Sequence, residues 1–350
     1  MDFAPRGRPS WTSTRLVAAV GLPLLINACG RSPTSGVPVP APSASAATVG
    51  HDAARAPQDA SPVIKDGGKS ADAAVDLAAD VAARAREAHE RFGANARLRT
   101  VDGTFVMVEA GRSGPLFDQA VMLLERALPP LFHDRFTRHP TAGVSILLFS
   151  SAPEYDAFCE EHYGVGAKSN FGLYRRSSRD IVVDISGGAA FLPTLSHEVV
   201  HPIIEADFPR APVWIDEGIA SLFEAPFFTK DGGIHGVARN WRHARLLSAF
   251  ASKTEREAAR LDALFGMSTR DFLGIPREGH VRDADESVRN LHYATARSVA
   301  AWLDEQGRLW PFYRAWRDGV ADDPTGEKAF ERVMGAPAAA MNAAWVKWAR

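Results

Sequence analysis

Between Leu195 and Glu224 the chain reads LSHEVVHPIIEADFPRAPVWIDEGIASLFE, a stretch whose residue types and spacing could hold a metal ion and move a proton. His197 and His201 are four residues apart, so on a helix both imidazoles leave one face, one turn apart, and can reach a single ion. Glu198 sits about 100° round the helix from His197, where a carboxylate can take a proton from an attacking water without being a ligand. Fifteen residues separate His201 from Glu217, and the intervening DFPRAP contains two prolines, enough turn chemistry to end one helix and start another facing it. A third ligand from that second helix would leave the fourth tetrahedral position open, which distinguishes a catalytic zinc site from a closed structural one. Asp216 and Glu224 compete with Glu217 for the third place. Asp216 points about 100° away from Glu217, and Glu224 lies two turns on.

These side chains need helices to carry them. Phe191, Leu192, Leu195, Val199, Val200, Ile203 and Ile204 give the first segment the apolar pattern of a helix inside a fold rather than on its skin. Two histidines and a carboxylate in that setting require partners, because unpaired buried polar groups are costly. Gly187 and Gly188 allow a sharp turn into the helix. Pro202 is discordant: it removes a backbone hydrogen bond, clashes with the carbonyl of Glu198 and biases His201 away from the α region. The sequence therefore predicts that the metal helix kinks or stops at about His201.

HEVVH followed by WIDEGIA resembles the gluzincin metallopeptidases, in which one helix carries H-E-x-x-H and a later one supplies a Glu ligand, often inside W-x-x-E-G-x-A. Within them the chain is most similar to the peptidase MA-like group of bacterial envelope proteins. The resemblance runs from about Arg97 to Arg350, with its specific motifs in the central thirty residues. It implies one Zn2+ per chain held by His197, His201 and Glu217, Glu198 as general base, and a peptide or protein substrate. The implied fold is α+β and zincin-like, with an N-terminal lobe (71–204) of small mixed sheet and helices, the metal helix at the junction, and a mostly helical C-terminal lobe (205–350). LHYATARSVAAWL resembles the family's downstream helix that begins with a Tyr, which makes Tyr293 a candidate hydrogen-bond donor to the tetrahedral oxyanion, with His292 as its alternative. Ser221, one turn after Glu217, is a candidate to orient a ligand. The strand DIVVDIS, ahead of the metal helix, is read either as an ordinary paired strand or as the sheet edge to which gluzincins add an extended peptide.

Taken in order, the chain opens with a targeting pattern. Arg6, Arg8 and Arg15 precede an apolar run from Leu16 to Ile26 that is short for a membrane span, and Cys29 follows Ala28. LINACG resembles the lipobox of bacterial lipoproteins, which implies a signal peptide over 1–28, acylation of Cys29 and a membrane anchor. Gly30 is not the Asp that resembles an inner-membrane retention signal, so the expected location is the cell envelope at the outer membrane. Residues 29–70 are dense in Pro, Ser, Ala and Gly and read as a disordered tether. Cys159, the only other cysteine, reads as a small buried hydrophobe on an amphipathic helix.

The catalytic unit is expected over 71–350. A helix ends near Gly93, and LRTVDGTFVMVEA reads as a hairpin turning at Asp102 and Gly103. A helix from Leu116, a strand over Val144–Phe149, a helix from Ala152 or Pro153 and a hairpin over 171–185 follow, giving a small mixed sheet with helices on one side. After Glu217 the pattern is mostly helical, with its tryptophans at core spacing. The formal net charge of −2 gives no electrostatic case for a nucleic-acid partner. Two alternatives stand beside the peptidase. One is a catalytically inactive zincin-fold module that binds a partner or a cell-wall polymer, motivated by Pro202 and by the lack of a clear specificity pocket; the other is a metallohydrolase directed at glycan or lipid.

Overall fold

The computed structural model describes residues 76–111, 114–163, 171–230, 232–237, 239–279 and 283–350. The expected signal peptide, Cys29 acylation site and tether lie outside the described residues. No helix among the described residues is long and apolar enough to cross a membrane.

The architecture is α+β. Helix α1 (Leu77–Phe92) is capped by Asp76, whose side chain accepts from the amides of Ala78 and Ala79. Strands β1 (Leu98–Val101) and β2 (Phe105–Ala110) form the expected hairpin, and its turn places both Asp102 and Gly103 at positive φ, 52° and 64°. Helix α2 (Pro115–Asp134) crosses over to β3 (Val144–Phe149), which pairs parallel with β2. Helix α3 (Ala152–Tyr163) then leads to β4 (Gly172–Arg175) and β5 (Asp180–Asp184). The five strands lie in the order β1-β2-β3-β5-β4.

One expectation is corrected here, and one open choice is decided for the ordinary paired strand. Helices cover both faces of the sheet: Phe105, Met107, Ile146, Leu148, Ile181 and Val183 pack with α2 and the metal helix, while Val106, Val108, Leu147, Phe149 and Val182 pack with Tyr155, Phe158 and Cys159 of α3 and Ala88 of α1. The reason is that β2 and β3 are buried at every position, as strands covered on both sides must be. The strand of DIVVDIS is internal, parallel to β3 and antiparallel to β4, so the sheet edge ahead of the metal helix is β4.

A 3-10 turn over Gly188–Phe191, entered with Gly188 at φ 73°, leads into α4 (Leu192–Asp207), and α4 continues through Pro202. The predicted stop at His201 does not occur. Proline removes one intrahelical hydrogen bond at a cost of about 3 kcal/mol, but Ile203 and Ile204 bury against the core and the last residue is held from outside. Asp207 Oδ1 accepts from the amides of Thr137 (2.9 Å) and Arg138 (2.8 Å), and Arg317 donates to Oδ2 at 2.8 Å. Tertiary packing outweighs the local rule.

Helix α5 (Val213–Leu222) follows across the proline-containing turn, then a short hairpin, β6 (Pro226–Phe228) and β7 (Ile234–Gly236), which the sequence reading missed. Helices α6 (Arg242–Ala251), α7 (Thr269–Phe272), α8 (Glu286–Glu305), α9 (Leu309–Gly319), α10 (Glu327–Met334) and α11 (Ala338–Ala349) complete the chain. Helix α8 is their hub, packing on α5, α6, α7, α9 and α11. Trp316 and Trp345 are fully buried, as their reading as core expects, whereas Trp310 and Trp348 are half-buried against the core. Helices α5 and α8 meet backbone to backbone at Gly218, where a Cβ would lie 2.9 Å from the carbonyl oxygen of Ala296.

Candidate metal centre

Helix α4 carries His197, Glu198 and His201, and α5 carries Asp216 and Glu217 against it. The ligand atoms of His197, His201 and Glu217 lie within 4.8 Å of one another, and all three residues are buried. Glu217 Oε2 is 3.3 Å from His197 Nε2 and 3.9 Å from His201 Nε2. Bonds of about 2.1 Å at a tetrahedral angle would put ligand atoms about 3.4 Å apart, so the trio has the spacing of a metal site. The rings sit 4.9 Å apart and are inclined at 66°, so they approach one point from different directions.

The opposite edges of both rings face carboxylates. His201 Nδ1 is 2.8 Å from Asp216 Oδ1, and His197 Nδ1 is 3.3 Å from Glu224 Oε1. A carboxylate that accepts from Nδ1–H leaves Nε2 of a neutral ring with a lone pair; the His201 contact is such a hydrogen bond, and the His197 contact is an ion-pair distance. Two neutral rings so arranged and a carboxylate oxygen form a group that could hold a metal ion. Asp216 and Glu224, which the sequence left as rival third ligands, thus lie behind the histidines, and Glu217 is the carboxylate grouped with them where a metal ion could be held.

The electrostatics follow from the same arrangement. Burial pushes His197 well below the ordinary histidine range, and the positive charges of His201 and Arg242 push the same way. For His201 burial works against the charged ring, but Asp216, Glu217 and Glu198 outweigh it and its pKa is raised. Burial raises the Glu217 carboxyl. The donor set of two imidazoles and one carboxylate suits zinc.

Glu198 is fully buried on α4, close enough for its charge to act on His201. Tyr293, on α8, is buried, which raises its hydroxyl, and lies close enough to Glu217 for that carboxylate's charge to raise it further, so it belongs to the cluster. His292 does not: its Nδ1–H donates to the carbonyl of Phe272 at 2.9 Å. The Ser221 hydroxyl is buried and makes no hydrogen bond to a ligand. Cys159 is fully buried, and burial pushes its thiol up to about 11, as a packing residue requires.

Asn240 and Arg242, at the start of α6, escaped the sequence reading. Asn240 Nδ2 donates to Glu224 Oε2 (2.8 Å), and Arg242 Nη2 donates to Glu224 Oε1 (2.7 Å). Nothing in NWRHAR marks them, because their partner is 18 residues back for Arg242 and is reached only through the tertiary fold.

Edge strand β4 packs beside α4. Gly172 permits the approach, since a Cβ there would meet Thr194 at 2.6 Å, and the Tyr174 ring lies parallel to that of His201 with centroids 6.5 Å apart. The chain matches no protein-family model and no curated protein. The site therefore has to be read from its own geometry.

Proposed function

We propose that the chain is a zinc-dependent peptidase of the bacterial cell envelope, tethered by a lipid on Cys29. The observation that carries this reading is the convergence of His197 Nε2, His201 Nε2 and Glu217 Oε2, with Glu198 one residue from the first ligand. Zinc, when bound there, would polarise a scissile carbonyl and make a water acidic enough to lose its proton near neutral pH.

The chain's own residues would supply the rest. The Glu198 carboxylate takes the proton of the attacking water and passes it to the leaving amine. Asp216 and Glu224 keep the imidazoles in the tautomer that presents Nε2. Burial raises the Tyr293 hydroxyl well above its ordinary value, so it stays protonated and able to donate, to Glu217 at rest and to a developing oxyanion during reaction. An extended peptide has a docking edge in β4, where backbone hydrogen bonds would give affinity independent of side chains. That edge favours peptide over glycan or lipid. The inactive-module alternative rested partly on Pro202, and α4 runs unbroken through that residue.

Elemental analysis of the dialysed protein tests the site: about one zinc per chain is expected, lost in His197→Ala and Glu217→Ala. Glu198→Gln should retain the zinc and lose hydrolysis of an unfolded protein substrate. Wild-type turnover in that variant refutes the mechanism.

A further inference from the structure

The pair formed by Arg242 and Glu224 lies behind the ligand cluster rather than in it. Both side chains are buried, with Arg242 7% and Glu224 1% exposed. A buried ion pair contributes little net stability, because desolvation cancels most of the attraction. What this one does is geometric. The guanidinium edge grips Glu224 through Nη2 to Oε1 at 2.7 Å and Nε to Oε1 at 3.2 Å. Asn240 holds the other oxygen at 2.8 Å, and its own side-chain oxygen accepts the Arg242 amide at 3.0 Å. With both oxygens fixed, Glu224 Oε1 stands 3.3 Å from His197 Nδ1. The guanidinium carbon also lies 5.2 Å from the ring centroid of Tyr293, whose hydroxyl is close enough to Glu217 to feel its charge. Arg242 therefore touches the partners of two of the three ligands, one on each side.

We propose that Arg242 is a positioning residue for the metal cluster, holding Glu224 against His197 with the edge of its guanidinium and Tyr293 beside Glu217 with its face. The chemistry requires arginine: a planar fork can grip one carboxylate edge-on while its face lies on an aromatic ring, and a lysine ammonium cannot do both. The inference rests on the metal-site reading above, which places zinc on His197 and Glu217.

The test is zinc affinity, measured by competition with a chromophoric chelator on the full chain, for wild type, Glu224→Gln, Arg242→Lys, Arg242→Met and the Glu224→Gln/Arg242→Met double variant. Each single variant should lose about 10- to 100-fold in zinc affinity, the range for loss of a group that orients a ligand. The double variant should lose no more than about the worse single one, because both act through one contact. Unfolding of the metal-free proteins and the visible spectrum of the cobalt-substituted ones separate positioning from general support. A structural role alone lowers stability and leaves affinity and spectrum at wild-type values, and that result overturns the proposal. If Arg242→Met does not fold, Glu224→Gln and Arg242→Lys decide, and wild-type affinity in both refutes it. Failure of wild type to bind zinc would instead sink the metal-site reading itself.

Discussion

Gly218 follows the third ligand directly, and its contact with α8 makes a sharp prediction. A Cβ added there would lie 2.9 Å from the carbonyl oxygen of Ala296 and 3.2 Å from its carbonyl carbon, against about 3.4 Å for ordinary contact. The obstacle is helix backbone, so α5 and α8 must separate by about 0.5 Å. Two effects on stability oppose each other. Overpacking costs about 1–3 kcal/mol, whereas replacing a mid-helix glycine by alanine returns about 0.8–1 kcal/mol. The net expectation for Gly218→Ala is a loss of about 0–2 kcal/mol in urea unfolding of the metal-free protein. The metal site is the more sensitive reporter. Glu217 moves with α5, and a shift of about 0.5 Å exceeds the ±0.2 Å within which ligand distances are held. Zinc affinity should therefore fall at least about tenfold. Ala296→Gly should not restore it, since the Ala296 Cβ is already at an ordinary 3.6 Å. Gly187→Ala is the control, with nothing within 4 Å and φ at −75°, and should be neutral or slightly stabilising. A Gly218→Ala protein stabilised by the full helix-propensity gain, with zinc affinity unchanged, would show that the two helices are not in forced contact.

Other consequences can be checked separately. Asp207→Asn breaks a buried pair with Arg317 at the end of the metal helix and should cost about 3–5 kcal/mol in chemical denaturation. Burial alone would raise the Asp207 carboxyl, but hydrogen bonds from Arg317 and Thr137 hold it below its ordinary value. Its contribution is therefore complete above about pH 3.9 and lost as pH falls through the folded value, so the Asn variant should lose less stability than wild type on acidification. Asp285 caps α8 by accepting from the amides of Ser287 (2.9 Å) and Val288 (3.1 Å). Asp285→Ala should cost about 1 kcal/mol in the same assay and leave zinc affinity alone.

The parts of this structure that could be read from the sequence are those governed by local rules. The spacing of His197 and His201 fixes one helix face, and the two prolines of DFPRAP end one helix and start the next, which brings Glu217 round to meet them. The Asp102–Gly103 hairpin was legible for the same reason. Sheet order was not: β4 and β5 carry similar apolar patterns, and which of them docks on β3 depends on packing against α4. Pro202 misled because a local cost of about 3 kcal/mol is smaller than what the core and the Asp207 contacts supply. Arg242 was invisible because arginine at the start of a helix has no signature until its buried carboxylate is known.

Charge balance joins these features. Glu198, Asp216, Glu217 and Glu224 surround the two histidines, and the two buried arginines near them are Arg242 and Arg297. Arg297 is tied down by donating from Nε to the carbonyl of Ser221 at 3.1 Å, and burial pulls it down to about 10. With all four carboxylates ionised and both imidazoles neutral, as a bound cation would require, the group would be two negative charges in excess; in the metal-free protein the raised His201 and Glu217 hold protons that offset part of this. Burying that excess is expensive. A single divalent cation at the convergence of the two Nε2 atoms and Glu217 Oε2 would remove it. On the metal-site reading the arginines belong to the same balance: without them four carboxylates would overcompensate a divalent ion. A trivalent ion would overshoot this balance and a monovalent one would leave it half met, so on the proposed metal-site reading the shell suits a divalent ion.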